Sequence, residues 1–246
     1  MSRNADSLPD LRDEIKSLAG TSTADLIGLA PGSEFSAQEL GALGEAFGQV
    51  NSLVVLAQHI TDPVQRVTFR TGSDYRGSRV VTCLADAMLR DACWRVAHTL
   101  EASGWKAALA RNLRYGASDP RHRISYKKAA VLAGLGALGK SQLLIHPEWG
   151  PWIWLRVVVT DARLAPDAPI DFSPCEGCSR CIEACPVGAL SPDGIDRDIC
   201  DQVADLRQSP IVLSLSPHGH INCEECLRAC PVGTAPPRLA PPKIAP

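Results

Sequence analysis

Cys175-Glu-Gly-Cys178-Ser-Arg-Cys181-Ile-Glu-Ala-Cys185-Pro186 carries four thiols at the spacing C-x2-C-x2-C-x3-C-P, the bacterial ferredoxin run. A cubane iron–sulfur cluster needs three thiolates presented from one tight loop. The fourth cysteine opens a helix that points at a second cluster, and the proline ends the loop. Downstream, Cys223-Glu-Glu-Cys226-Leu-Arg-Ala-Cys230-Pro231 repeats the pattern without its first cysteine, and Cys200 is the nearest upstream thiol able to supply it. In two-cluster ferredoxins the fourth cysteine of each run crosses to the other cluster. One 4Fe–4S cluster is therefore assigned to Cys175, Cys178, Cys181 and Cys230. The other is assigned to Cys223, Cys226, Cys200 and Cys185. Zinc is the alternative, because paired C-x2-C also binds it. The triple spacing, the x3-C-P ending and the partial copy are much more specific than C-x2-C.

Working outward, eight of the ten cysteines in this 246-residue chain lie in that region. A disulfide framework would need an oxidising compartment. The N-terminus, however, is polar and has no apolar signal core. No run approaches the roughly 18 apolar residues of a spanning helix. The expectation is a soluble cytoplasmic protein with reduced thiols and no membrane association. Hydrophobic residues make up 45% and the net charge is -2, so a sizeable core is available and no global basic field is. Cys83 and Cys93 sit ten residues apart in a helical pattern, roughly 15 Å along the axis, too far to share a metal. They read as buried structural thiols.

Upstream of the module the patterns alternate between helix and strand. Ser7 to Ala19 reads as a short amphipathic helix. Ser36 with Glu39 forms a capping box that opens a helix to about Phe47. Ser52 to Ala57 reads as a buried strand. Thr82 to Ser103 is the longest helical pattern, with its apolar stripe through Ala85, Leu89, Ala92, Val96 and Leu100. Trp105 to Ala110 is a short strand, Ser125 to Leu132 a helix, and Trp152 to Thr160 the clearest strand. The proline-rich stretch Ala165 to Pro174 reads as a linker. The architecture expected is α+β: a domain over residues 1–165, then a ferredoxin-like domain with a proline-rich tail over 166–246.

Gly134-Leu-Gly136-Ala-Leu-Gly139-Lys140-Ser141 fits both G-x-G-x-x-G and G-x-x-x-x-G-K-[ST]. Both phosphate motifs require a strand before the loop and a helix after it. Here a helix precedes the loop, and Pro147, Gly150 and Pro151 leave no room for a helix afterwards. What remains is a glycine turn that can approach a ligand closely, with Lys140 beside it, or a packing turn. Arg114, Tyr115, His122, Arg123, Ser125 and Lys127 add polar groups around a candidate anionic or corrinoid pocket. His146, His218 and His220 read as structural or loop histidines rather than ligands.

Ala133-Gly-Leu-Gly-Ala-Leu-Gly-Lys-Ser141, Leu143-Leu-Ile, Pro147-Glu-Trp-Gly150 and Val159-Thr-Asp-Ala162, followed by a double-cluster cysteine module, resemble the epoxyqueuosine reductase and reductive dehalogenase superfamily. It looks more like the short members that carry a 4Fe–4S double cluster binding domain. The resemblance spans about Ser125 to Thr234. It implies a nitroreductase-like N-terminal domain of the cobalamin-processing type and a corrinoid near the clusters. The clusters would pass electrons to cobalt, with a flavin as the lesser alternative, and a small substrate would be reduced. It also implies an electron donor such as a ferredoxin or flavodoxin. Cofactor-binding candidates are Ser125, Lys127, Gly134, Gly136, Gly139 and Lys140; catalytic candidates are Asp119, His122 and Tyr115. Asp119-Pro120 stands near the family's acidic proton donor at a different spacing. The full epoxyqueuosine enzymes carry a helical-repeat extension for tRNA, whereas this chain stops at Pro246. With no basic surface evident, the expectation is against tRNA as a partner. The rival expectation is an electron-transfer protein that reduces a partner, such as a corrinoid protein, without substrate chemistry of its own.

Overall fold

The computed structural model describes residues 8–60, 75–110, 124–200 and 225–233. Its centre is a four-stranded antiparallel sheet in the order β1 (Leu26–Pro31), β2 (Ser52–His59), β6 (Ile153–Thr160), β3 (Ala107–Leu109). Central β2 is buried on both faces, which explains its unbroken apolar run: Leu53, Val54, Val55 and Leu56 are all fully buried. Successive side chains point to opposite faces. Leu53, Val55 and Ala57 join one core with Val157, Val159 and helix α4 (Tyr126–Leu132). Val54, Leu56 and Val158 join the other, with helix α1 (Leu8–Ser17) and the long helix α3 (Tyr75–Ala102). Helices thus cover both faces of the sheet.

The stripe expected on α3 is the stripe that is buried: Ala85, Leu89, Ala92, Val96 and Leu100 all lie in the core. Cys93 lies there too, and burial pushes its thiol up to about 12, in keeping with a structural thiol. Cys83 lies outside the described side chains. The helix begins at Tyr75, earlier than its periodicity indicates. One polar group ties it to the sheet: Asp86 accepts hydrogen bonds from Arg156 Nε at 2.8 Å and Trp154 Nε1 at 3.2 Å. Burial alone would raise the Asp86 carboxyl, but the Arg156 guanidinium outweighs it and holds the group below its usual range.

The capping box stands as expected at the start of α2 (Ala37–Phe47), with Ser36 Oγ accepting from Glu39 N. Strand β1 has no clear signal in the sequence because Gly28 interrupts it and Pro31 ends it. Gly28 is required there, since a Cβ would come within 2.6 Å of the Ala133 carbonyl at the end of α4. The proline-rich stretch is pinned to the sheet edge rather than hanging as a tether. Asp167 pairs with Arg12 and Lys16, each at 2.7 Å, and accepts from Leu29 N at 2.9 Å. Beyond it the elements are small: α5 (Arg180–Glu183), the two-residue strands β7 (Leu190–Ser191) and β8 (Gly194–Ile195), and α6 (Glu225–Arg228). Among the described residues no helix is long and apolar enough to cross a membrane.

Candidate iron–sulfur site

The two cysteine runs are built alike. Arg180-Cys181-Ile-Glu-Ala-Cys185-Pro-Val-Gly188 and Glu225-Cys226-Leu-Arg-Ala-Cys230-Pro-Val-Gly233 each place a one-turn helix before Cys-Pro-Val-Gly. Each ends on a glycine of positive φ, +65° at Gly188 and +67° at Gly233, a region that glycine enters without steric cost. Helices α5 and α6 pack against each other. The result brings Cys175, Cys178 and Cys181 of the first run and Cys230 of the second around one cavity, together with Ser141 and Ile145. Among the described residues no three histidine, cysteine or acidic side chains are close enough to share one metal ion. A cubane makes a different demand. It presents four separate irons, each taking one thiolate, so its cysteines stand around a cavity instead of meeting at a point.

The electrostatics fit thiolates that await a cationic core. Burial, and then the neighbouring Cys175 and Cys178 sulfurs, push the Cys181 thiol up. Burial raises Cys230 as well, with Cys175, Cys181 and Cys178 adding to it. Like charges held this close disfavour ionisation until a cation offsets them. Cys185 differs. Burial alone would raise it, but the amides of Val187, Ala189, Leu190 and Gly188 outweigh burial and hold the thiol below its usual range. Ala189 N donates to its sulfur at 3.2 Å. Of the second expected set, Cys185, Cys200 and Cys226 are partly exposed, and Cys223 lies outside the described residues.

The glycine loop lies against this site. Helix α4 precedes it, and a small hairpin of β4 (Ala137–Leu138) and β5 (Leu144–Ile145) follows, so neither phosphate-binding geometry is present. Lys140 N donates to Cys175 Sγ at 3.3 Å, and Lys140 Nζ donates to the Cys178 carbonyl at 2.8 Å. A Cβ on Gly139 would stand 2.9 Å from the Ile145 side chain and 3.4 Å from Cys175 Sγ. Gly134 and Gly136 are packed as closely, with a Cβ falling 2.5 Å from the Ala168 carbonyl and 2.4 Å from the Ile145 carbonyl. Ser125 caps α4, its side chain accepting from Lys128 N. Lys127 Nζ donates to the Gln142 carbonyl. Burial, and then Arg197, lowers the Lys127 amine, while Cys226 pulls it the other way.

Further along, Gly150 meets the second run: a Cβ there would lie 1.8 Å from the Val232 carbonyl. Trp149 stacks on His146 with ring centroids 4.3 Å apart and on His59 at 4.9 Å. His146 Nδ1 accepts from the amides of Glu148 and Trp149, and burial lowers its pKa, so the ring stays neutral. That is a structural role for His146. The sequence reading assigned no role to Ser141, Trp149 or Gly150, although Ser141 closes the glycine motif and Pro147 to Gly150 form part of the family resemblance. Arg114, Tyr115, Asp119, His122, Arg123, His218 and His220 lie outside the described residues.

Comparison with known proteins completes the picture. The 4Fe–4S binding domain family matches residues 168–191, which contain the whole first run. An epoxyqueuosine reductase of Lactococcus garvieae is 43% identical over 65 residues, covering 26% of this chain and 18% of that protein. A tetrachloroethene reductive dehalogenase of Dehalobacter restrictus is 36% identical over 84 residues, covering 33% of this chain and 15% of that one. The cysteine-rich part of the chain is thus similar to epoxyqueuosine reductases and to a reductive dehalogenase. The matched stretch spans about a fifth or less of these relatives' own length. The likeness in fold extends further than this local identity. A crystal structure of epoxyqueuosine reductase with an epoxyqueuosine-modified tRNA-Tyr stem loop superposes over 92% of this chain and 66% of its own, with TM-score 0.55 and 18% identity. A reductive dehalogenase whose structure suggests a mechanism for B12-dependent dehalogenation superposes over 90% of this chain and 32% of its own, with TM-score 0.64 and 19% identity.

The superfamily member with a bound stem loop overturns the expectation against tRNA. Net charge is a sum over the whole surface, whereas a stem loop meets only a local part of it. A charge of -2 therefore cannot exclude that ligand.

Proposed function

We propose that this chain is an iron–sulfur reductase with two 4Fe–4S clusters. Cys175, Cys178, Cys181 and Cys230 hold one; Cys185, Cys200, Cys223 and Cys226 hold the other. The clusters would pass electrons to a corrinoid held near them, with residues 1–165 forming a nitroreductase-like domain and residues 166–246 the cysteine module. One observation carries the reading: Cys230, from the second run, lines the cavity of the first. A crossing cysteine is the mark of paired clusters, and two clusters in contact make a path for single electrons.

The corrinoid is supported by the fold shared with a dehalogenase linked to B12-dependent chemistry. When bound, it supplies low-potential cobalt chemistry toward an electrophilic carbon. The chain's own residues hold the thiolates, aim amide N–H groups at sulfur and keep water from the cavity. Relatives named for an epoxide and for a chloroalkene suggest a substrate reduced by two electrons, either with one proton taken up as chloride leaves or with two protons taken up as an epoxide oxygen leaves as water. Tyr115, Asp119 and His122 remain the candidates for proton donation.

Anaerobic reconstitution with measurement of iron, zinc, cobalt and flavin tests this. About eight irons per chain, binding of added cobalamin, and turnover of an epoxyqueuosine-modified stem loop or a chloroalkene are expected. Far fewer irons, or stoichiometric zinc, overturns the cluster assignment. Eight irons with no affinity for cobalamin overturns the corrinoid reading. Flavin in its place points to a flavin reductase, and neither cofactor to an electron-transfer protein.

A further inference from the structure

The segment Gly139 to Gln142 resembles a nucleotide-binding loop in sequence but spends its polar groups on the cysteine module. Three observations define what it does. The Lys140 amide donates to Cys175 Sγ, and the Lys140 ammonium is tied to the Cys178 carbonyl, so one residue grips two turns of the first run. Ser141, only 6% exposed, lines the cavity formed by Cys175, Cys178, Cys181 and Cys230. The far end of the loop is fixed from behind, where Lys127 Nζ donates to the Gln142 carbonyl and Gln142 takes a φ of +58°. Such a backbone state is rare for a residue with a side chain and persists where its surroundings enforce it. Packing at Gly139 is close, because a methyl group there would press on the Ile145 side chain and stand in van der Waals contact with Cys175 Sγ.

We propose that this loop is a potential-setting lid on the first cluster, in which Ser141 donates a hydrogen bond to a cluster sulfur and Lys140 supplies an amide donor and a fixed positive charge. The proposal rests on the cluster reading above. Its physical basis is simple. One-electron reduction adds a negative charge to a site already rich in thiolates. Donors and cations aimed at the sulfurs stabilise that added charge more than the oxidised state, and so raise the reduction potential. Lys140 and Ser141 are thus positioning and tuning residues rather than ligands. Among the described residues, the loop's contacts with cysteines are to Cys175 and Cys178 of the first cluster.

EPR-monitored redox titration of the reconstituted full chain tests the idea, with the iron content measured alongside. Ser141→Ala is expected to make one of the two couples harder to reduce, by roughly threefold to tenfold in the reduced-to-oxidised ratio at fixed potential. The second couple stays in place. Ser141→Thr, which keeps the hydroxyl, restores the original midpoint. Lys140→Met shifts the same couple in the same direction, and Lys140→Arg restores most of it. Unmoved midpoints in both Ser141→Ala and Lys140→Met, with full iron, overturn this proposal and leave the reductase reading intact. Lost iron with an unmoved midpoint in the clusters that remain also overturns it, because the loop would then be a brace only. A wild-type chain that takes up no iron overturns the cluster reading and this inference together.

Discussion

The sheet and the cysteine module solve the same problem by opposite means. Around β2 the chain removes Leu53, Val54, Val55 and Leu56 from water entirely, and helices pack both faces. From Cys175 onward the buried apolar set among the described residues is Cys181, Ala189 and Leu190, and α5 and α6 are four residues each. Helices this short do not hold themselves, because nucleation is costly and each further residue adds little. A segment of this size without a core needs a metal or a cross-link. Where ligands converge only in the folded state, metal binding is itself folding free energy. The contrast teaches that the sheet is stabilised by what it excludes from water, whereas the module, on the reading proposed above, would draw its stability from the iron–sulfur centres its thiols hold.

The largest expected effect separates the two directly. Stripping iron anaerobically with a chelator should unfold the cysteine module and expose it to protease beyond about residue 165, while the sheet region resists digestion. Equal protection of both regions after iron loss would break the comparison. Next comes the seam between them. Gly150 has a φ of +57° and touches the Val232 backbone, and Gly233 returns the contact against Trp149. Gly150→Ala should push Val232 away, displace Cys230 and cost a large share of the iron, with far-UV circular dichroism of the sheet nearly unchanged. Retention of full iron by that variant would mean the seam is softer than its packing indicates.

The sheet has its own test. Leu56→Ala should lower unfolding stability by about 2–5 kcal/mol in denaturant titration, with the iron per folded chain unaltered. A parallel loss of iron would show that the two regions share more than a seam. A smaller effect is expected at Asp86, whose carboxylate is bonded to Arg156 and Trp154 under partial burial. Asp86→Asn should cost about 2 kcal/mol at neutral pH. Because the folded carboxyl sits below its ordinary value, the wild-type contribution is complete above roughly pH 4. It is lost as pH falls through the folded value. The difference between wild type and variant should therefore shrink on acidification, and a constant difference would assign the effect to shape instead of charge.

Much of the framework was legible locally. Near-continuous apolar runs found β2 and β6, and helical spacing found the stripe of α3, because burial leaves a direct trace in residue order. The cysteine runs were legible for a stronger reason: the spacing of thiols in a loop is fixed by the cluster they surround. β1 was hidden because its glycine answers to Ala133, more than a hundred residues away, and not to its neighbours. The proline-rich stretch looked like a free tether because nothing near it in sequence shows that Asp167 will find Arg12 and Lys16. The charge sum misled about tRNA, since it carries no information on where charges lie.

By itself the sequence determined the iron–sulfur motif of the first cysteine run, the alternation of helix and strand, and the family likeness, all of which depend on residues close together in the chain. Only the tertiary structure decided where the glycine loop packs. Its motif is shared by phosphate sites, and the sequence reading left a ligand loop and a packing turn both open. Folding places Lys140 against Cys175 and Cys178, and Gly150 against Val232, contacts that span 35 residues or more. Contacts of that range are made by the packing of whole elements, so no local pattern can announce them.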